Sequence, residues 1–151
     1  MTKDMMTKEE IKQLLSKTVT ARLATCCDNQ SYVVPICFIY YKEKIYFHSS
    51  PSGMKMRYMK KNPKVCFQVD EEEIVPARSP CKFTARYKSV IVFGKVRFLK
   101  DRIDKLEILK KMINKYDVEN ISEPLKADMV QDVEIGEITI DKVTGRKNMQ
   151  K

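Results

Sequence analysis

Three apolar stretches follow one another with almost nothing between them. Thr18 to Cys26, Tyr32 to Tyr41 and Ile45 to Ser49 are separated only by turns at Asp28-Asn29-Gln30 and Lys42-Glu43-Lys44. Each is rich in β-branched and aromatic residues, which favour a pleated strand. Connectors this short reverse the chain but cannot carry it back over a sheet, so the strands pair antiparallel. Two further strands, Val65 to Val69 and Phe83 to Leu99, and a last one from about Val133 to Val143, bring the number to six. Thr7-Lys8-Glu9-Glu10 forms a capping box for a helix to about Lys17, with Ile11, Leu14 and Leu15 on one face. A basic helix spans Met54 to Lys61 and stops at Asn62-Pro63. Asp101 caps a third helix, Arg102 to Tyr116, with Ile103, Leu106, Leu109, Ile113 and Tyr116 on one face. The order predicts an α+β, mainly β chain: a six-stranded antiparallel barrel with flanking helices, in one domain over residues 1–151.

Several details break the regular pattern. Tyr32 to Tyr41 is apolar on both faces, as a central strand should be, yet Pro35 cannot donate to a ladder. Either the neighbouring strand is missing there, leaving room for a ligand, or the segment is an edge strand with a bulge. Asp70 to Lys82, with Pro76 and Pro80, reads as an irregular functional or interface loop. Gly94 marks a bend in the long fifth strand. In the last strand the apolar positions move from Val133 and Ile135 to Ile138 and Ile140, a slip that predicts a bulge at Gly136-Glu137. Val118 to Asp132 takes no assignment. Thr144 to Lys151 reads as a frayed tail.

Lys and Arg number 29 against 20 acids, a formal net charge of +9 that attracts anions. The densest basic run, Lys55, Arg57, Lys60, Lys61 and Lys64, contains no acid. A nucleic-acid barrel would need aromatic residues interleaved with the basic ones, and no such stripe is visible. The longest apolar run is too short for a membrane helix and the first ten residues carry no signal core, so a cytoplasmic location with no membrane partner is expected. The five cysteines form no C-x-x-C pair and there is one histidine, so no metal site is expected. The cysteines read as reduced packing residues, Cys37 and Cys66 among them.

The chemistry concentrates where a strand hands over to the basic helix. Ser49, Ser50, Ser52, Gly53 and then Lys55 meet there. Loop N–H groups and a helix N-terminus supply partial positive charge, hydroxyls donate hydrogen bonds, and Lys55 adds a full charge, which together suit a phosphate. The competing reading is an ordinary turn before a solvated helix face.

Taken in order, Ala21-Arg22-Leu23-Ala24-Thr25, Val33-Val34-Pro35, Tyr46-Phe47-His48-Ser49, Gly53-Met54-Lys55, Asn62-Pro63-Lys64-Val65-Cys66-Phe67, Pro80-Cys81 and Tyr87 to Val96 form a specific set. They cover about Thr18 to Tyr116. The chain resembles the pyridoxamine 5'-phosphate oxidase-like, FMN-binding split-barrel superfamily, and within it the nitroimidazole-resistance (Nim-type) flavoproteins. The resemblance implies a six-stranded split barrel and a homodimer with FMN at the subunit interface. It implies that Lys55, Ser49 and Ser50 hold the FMN phosphate. It places the flavin ring along Val33, Val34, Pro35, Ile36 and Cys37, with Tyr87 and Ser89 approaching from the partner subunit. Haem or a deazaflavin could stand in place of FMN, as in other chains of this fold. Two departures speak against pyridoxamine phosphate oxidation: Met54 replaces an arginine found in the oxidase, and the oxidase's longer C-terminal part is lacking.

His48 lies at a strand end beside the phosphate loop. Imidazole titrates near neutrality, so it suits a proton donor or substrate contact, or else it is a hydrogen-bonded histidine of the barrel rim. Tyr32, Tyr40 and Tyr87 are the candidates for stacking on the ring. The expected function is an FMN-dependent oxidoreductase of nitroreductase type, acting on small nitroaromatic or quinone-like acceptors. The alternative is a flavin or haem binder without turnover, serving as sensor or carrier.

Overall fold

A computed structural model of the chain describes residues 4–149. The strands are β1 (Asp4–Met5), β2 (Thr20–Cys27), β3 (Gln30–Tyr41), β4 (Lys44–Ser49), β5 (Lys64–Val75), β6 (Thr84–Phe98) and β7 (Glu134–Asn148). The helices are α1 (Lys8–Lys17), α2 (Met54–Lys61) and α3 (Arg102–Tyr116), with a short 3₁₀ turn at Ala127–Val130. The sheet runs β1-β7-β4-β3-β2-β5-β6, and β6 also pairs with β7. Six strands therefore close into an antiparallel barrel, and the two-residue β1 adds to β7 from outside.

The two tight turns form as expected. Asp28 and Asn29 have φ of 49° and 61°, and Lys42 and Glu43 have 47° and 59°. Positive φ at both central residues matches the twist of a two-residue hairpin. Thr7 caps α1 in a full capping box, with Glu10 reaching back.

The interior holds Phe38, Phe47, Phe67, Leu23, Val69, Val90 and Ile138, together with Leu14 and Leu15 of α1 and Met56 and Met59 of α2. Phe38 and Phe67 meet edge-to-face at 4.8 Å. A second cluster lies on the outer face, where Ile108 and Met112 of α3 cover Ile39, Tyr46 and Ile135.

Five expectations change. β5 continues to Val75, so the irregular segment shrinks to residues 76–83. The acidic run pairs across the hairpin, Glu71 with Lys88 at 3.6 Å and Glu73 with Arg86 at 3.7 Å, which suits opposite strands. The tail is no frayed end up to Asn148, because β7 runs between β6 and β1 there; Gln150 and Lys151 lie outside the described residues. No bulge occurs at Gly136-Glu137. Residues 135–138 are all buried because both faces of β7 are covered there, Ile135 by the outer cluster and Ile138 by the interior. Gly136 packs so closely that a Cβ would lie 2.3 Å from the Phe47 ring. The register shift falls instead between Phe93 and Gly94, leaving Asp141 as the extra residue on β7. In α3 the buried positions are Ile108 and Met112, and Ile103 is exposed, so the covered face is rotated from the expected stripe. Finally, all five cysteines are free and none is fully buried; Cys37 is exposed, because it lies on the outward side of β3.

Candidate functional site

β2 pairs with β3 from Thr20↔Cys37 to Cys27↔Gln30 without interruption. β4 pairs with β3 only from Phe38↔Phe47 to Tyr41↔Lys44. The barrel is thus split: among the described residues, Gln30 to Cys37 has a neighbour on one side and no strand on the other. The two-residue turn makes Tyr41 and Lys44 a hydrogen-bonded pair, so odd-numbered residues of β3 aim their N–H and C=O groups towards β4. Val33 and Cys37 therefore present both groups along the free edge, Ser31 presents its N–H while its carbonyl accepts from Gln30 Nε2 at 3.0 Å, and Pro35 presents its carbonyl. The missing N–H of Pro35 falls on the side with no partner and costs no ladder bond. The register carries no bulge, which decides between the two readings of Pro35.

Side chains follow the same alternation. Val33, Pro35 and Cys37 are exposed, whereas Ile36 is buried and Val34 packs against the interior. Of the five residues expected along a ring, Val33, Pro35 and Cys37 face outward; the side chains of Val34 and Ile36 are in the core and their backbone groups serve β2. Tyr32 turns to Tyr58 of α2, edge-on at 5.9 Å, and Tyr40 packs on the interior.

On the other side of β3, α3 closes the β2–β3 ladder just past Cys37. Phe38 lies just beyond the β2 ladder. Its N–H donates to the Tyr116 hydroxyl at 2.6 Å, and that hydroxyl lies 2.5 Å from the Phe38 carbonyl and 3.0 Å from that of Val19. Lys115 Nζ donates to the carbonyls of Thr18 at 2.6 Å and Phe38 at 3.0 Å. Burial pushes the Tyr116 phenol up to about 12 and the Lys115 ammonium down. The Tyr116 hydroxyl therefore stays protonated over the working pH range. Sequence reading had given Tyr116 only a packing role; nothing in a single chain marks a hydroxyl that completes a distant ladder.

At the other lip, β4 ends in His48 and Ser49. His48 is exposed and Ser49 is buried. The Ser49 hydroxyl donates to the Ser50 carbonyl at 3.0 Å, and that of Ser50 to the Ser52 carbonyl at 3.1 Å. Both hydroxyls thus shape the loop and must turn to serve an anion. Gly53 opens α2 with φ 112° and no side-chain cap, and a Cβ there would meet open space. The first intrahelical bond runs from Arg57 N–H to the Gly53 carbonyl. The N–H groups of Met54, Lys55 and Met56 are therefore left over, as at any helix start. Lys55 is half-buried and has no ion pair among the described residues. An uncapped helix start and an unpaired Lys55 thus follow the end of β4 within six residues, and Tyr58 of the same helix touches Tyr32 of the free-edged segment.

On the outer side of His48 lies a cavity of about 490 Å³, lined by His48, Leu109, Met112, Ile113, Tyr116, Asp117, Ile121, Ser122 and Val133. Among the described residues its lining holds no Lys or Arg. Its one carboxylate, Asp117, accepts from the N–H groups of Ser122 at 2.9 Å and Ile121 at 3.0 Å, which hold it below the usual carboxylate range. Leu109 and Ile113 were read as core-facing; they are half-buried because they line this cavity.

Tyr87 and Ser89 lie elsewhere. Cys37 faces Thr20, Arg22 faces Gln68, and Asp70 faces Ser89, so β2 and β5 stand between the free edge and β6. At about 4.8 Å per strand the separation is roughly 14 Å. Ser89 accepts from Gln68 Nε2 at 3.4 Å, and Gln68 Nε2 also reaches Asp70, which holds Arg22 at 2.9 Å. The chain alone does not bring Tyr87 and Ser89 to the edge.

The profile of the pyridoxamine 5'-phosphate oxidase family matches residues 7–147, nearly the whole chain. The chain belongs to this family. A solved candidate 5-nitroimidazole antibiotic resistance protein from Bacteroides thetaiotaomicron superposes with a TM-score of 0.82 at 23% identity, over 95% of this chain and 86% of that one. An FAD-binding protein from Mesorhizobium loti superposes with a TM-score of 0.68 at 27% identity, over 98% and 99% of the two chains. An uncharacterized protein of Rhizobium meliloti (strain 1021) is 34% identical over 94 residues, 62% of this chain and 56% of that protein. The chain thus matches little more than half the length of that relative. As a pyridoxamine 5'-phosphate oxidase family member the chain has the split barrel expected of it, and its split coincides with the Pro35 edge. Among the described residues no helix is long and apolar enough to cross a membrane, and no cluster of metal-ligating side chains is present.

Proposed function

We propose that this chain binds a flavin along the free edge of β3 and passes electrons from it to a small apolar acceptor beside His48. The observation that carries the reading is the free Ser31–Cys37 edge, together with the uncapped start of α2 at Gly53, four residues after β4, and Lys55 without an ion pair among the described residues. The FAD-binding neighbour from Mesorhizobium loti supports it. The residues fit the group. Backbone N–H and C=O groups of Val33 and Cys37 match the polar rim of a flavin ring, and the flat outward side of Pro35 lies beneath it. Lys55 and the N–H groups after Gly53 hold the first phosphate. When bound, the flavin supplies the redox step, taking two electrons from a reductant and giving them to the acceptor.

The chain's own residues set what enters. The His48 cavity offers apolar walls and, among the described residues, no Lys or Arg, so a phosphorylated substrate would lose its hydration without a permanently charged partner. A planar nitroaromatic or quinone-like molecule suits it, with His48 placed to donate a proton to the reduced acceptor. Two chains make the site complete in this reading. Val33, Ile91 and Phe93 are exposed on one outer sheet face, and burying it against a second copy would bring that copy's Tyr87 and Ser89 towards the edge.

Titration of the purified protein with flavin, followed by fluorescence quenching, tests the assignment. Lys55→Ala is expected to weaken binding about ten-fold or more, as for loss of a charge-assisted contact. Equal affinity in the variant rejects the phosphate site. Oxidation of NAD(P)H on addition of a nitro acceptor separates turnover from mere carriage.

A further inference from the structure

Three of the cations of α2 face away from Lys55. Arg57, Lys60 and Lys61 stand at i, i+3 and i+4, so they share one side of the helix, roughly half a turn from Lys55 and within about 6 Å of one another along the axis. All three are exposed, and none has an ion pair among the described residues. They converge on a cleft of about 450 Å³ between α2 and the β2–β3 turn, whose lining is completed by Cys27, Asp28, Gln30 and Tyr58. Tyr58, Cys27 and the methylene stems of the basic residues supply its apolar surface. Asp28 is the one carboxylate of the lining, so three cations and one acid leave the cleft a net charge of +2. Like charges this close on a helix repel, and a dianion between them removes the repulsion.

A phosphomonoester carries about −1.5 to −2 charges at neutral pH, which matches that excess. The rest of the lining suits a nucleoside attached to it. Tyr58 meets Tyr32 with ring centroids 5.9 Å apart at 64°, and offers an aromatic wall for a base. Gln30 Nε2 donates to the Ser31 carbonyl at 3.0 Å, which leaves its side-chain oxygen to accept from an amino group. Asp28 Oδ2 accepts from Cys27 Sγ at 3.5 Å, and Oδ1 remains for a ribose hydroxyl. The cleft also adjoins the edge read as the flavin site. Gln30 opens the free-edged run of β3, and Tyr32, which meets Tyr58, follows two residues later. We infer that this cleft receives the reductant and that the reductant is NADPH, with its 2′-phosphate between Arg57, Lys60 and Lys61 and its adenine against Tyr58. NADH presents a neutral hydroxyl at that point and leaves the three cations uncompensated. NADPH gives up a hydride to the flavin and leaves as NADP⁺, and solvent supplies the proton that completes the reduced flavin. The inference rests on the flavin reading above and names the electron source for that same site.

The test titrates NADPH and NADH with the full chain without added flavin, so that nicotinamide fluorescence reads binding and not turnover. NADPH is expected to bind at least about ten-fold tighter than NADH, as charge-assisted contacts to one phosphate would give. Adenosine 2′,5′-bisphosphate is expected to displace NADPH, and 5′-AMP is not. Arg57→Ala/Lys61→Ala is expected to lose about ten-fold towards NADPH while changing less than about two-fold towards NADH and towards flavin. Both substituted side chains are exposed, and the circular dichroism spectrum checks that the fold is kept. Lys55→Ala is expected to do the reverse, weakening flavin and leaving the preference for NADPH unchanged. Equal affinity for the two dinucleotides, binding of neither, or an equal loss of both in the double variant overturns the NADPH site. A parallel loss of flavin affinity in the double variant assigns the cleft to the flavin and overturns it as well. Failure of flavin to bind while the preference for NADPH holds overturns the flavin reading and leaves the phosphate cleft standing.

Discussion

Tyr116→Phe removes one oxygen from the structure and isolates its effect. That oxygen accepts from the Phe38 N–H, and Phe38 is completely buried. The Phe38 carbonyl keeps Lys115 as a donor, so one group is orphaned, not two. An unsatisfied buried amide costs about 1–3 kcal/mol. The ring itself still packs on the outer cluster, so the cavity contribution is small. With a urea dependence of roughly 2 kcal/mol per molar, a loss of about 2 kcal/mol lowers the midpoint by about 1 M. The corresponding fall in Tm is about 4–8 °C for a chain of this size. Urea titration gives the stability, and hydrogen exchange at the Phe38 amide locates it. The amide should lose protection in step with the fall in stability. A midpoint shift below about 0.2 M with Phe38 exchange unchanged would refute the claim that this hydroxyl closes the ladder beside the split.

Two further outcomes follow from the geometry. Placing a charge in the acceptor cavity with Ile113→Arg should abolish turnover of neutral nitroaromatics and leave flavin affinity within about two-fold, since Ile113 lines the cavity and not the β3 edge; a parallel loss of flavin affinity would merge the two sites. The chain should also lose stability in acid. Burial pushes the Glu137 carboxyl up, but hydrogen bonds from Arg97 at 2.6 Å, Lys44 at 3.0 Å and Tyr46 at 3.0 Å outweigh it and hold the group below its ordinary value near 4.5. Lys147 lowers Glu10, Lys17 lowers Glu71, and backbone N–H groups lower Asp117. Groups lowered by folding contribute stability that is present above the ordinary carboxyl value and disappears as pH falls through the folded value. Unfolding midpoints between pH 7 and 3 should therefore fall below about pH 4.5, with a shallower fall in Glu137→Gln; an identical slope in that variant would remove Glu137 from the account.

Short-range signals wrote most of the fold into the chain. The turns at Asp28-Asn29 and Lys42-Glu43, the Thr7 capping box and the Asp101 cap each depend on neighbours within four residues, and each formed where expected. Pro35 announced a gap in a ladder, and β4 leaves β3 unpaired there. These readings hold because turn geometry and capping are settled locally, before the chain meets itself. Long-range contact decided the rest. The acidic end of β5 became strand because Lys88 and Arg86 stood across from it. The tail became strand because β6 and β1 flanked it. Gly136 and Ile138 shared one buried stretch because helix and barrel covered opposite faces of β7. Tyr116 found its role 78 residues away at Phe38, through a hydroxyl whose partner no local pattern specifies. Sequence fixes which groups want partners; which partner each one receives depends on where closure of the barrel leaves a backbone without a neighbour.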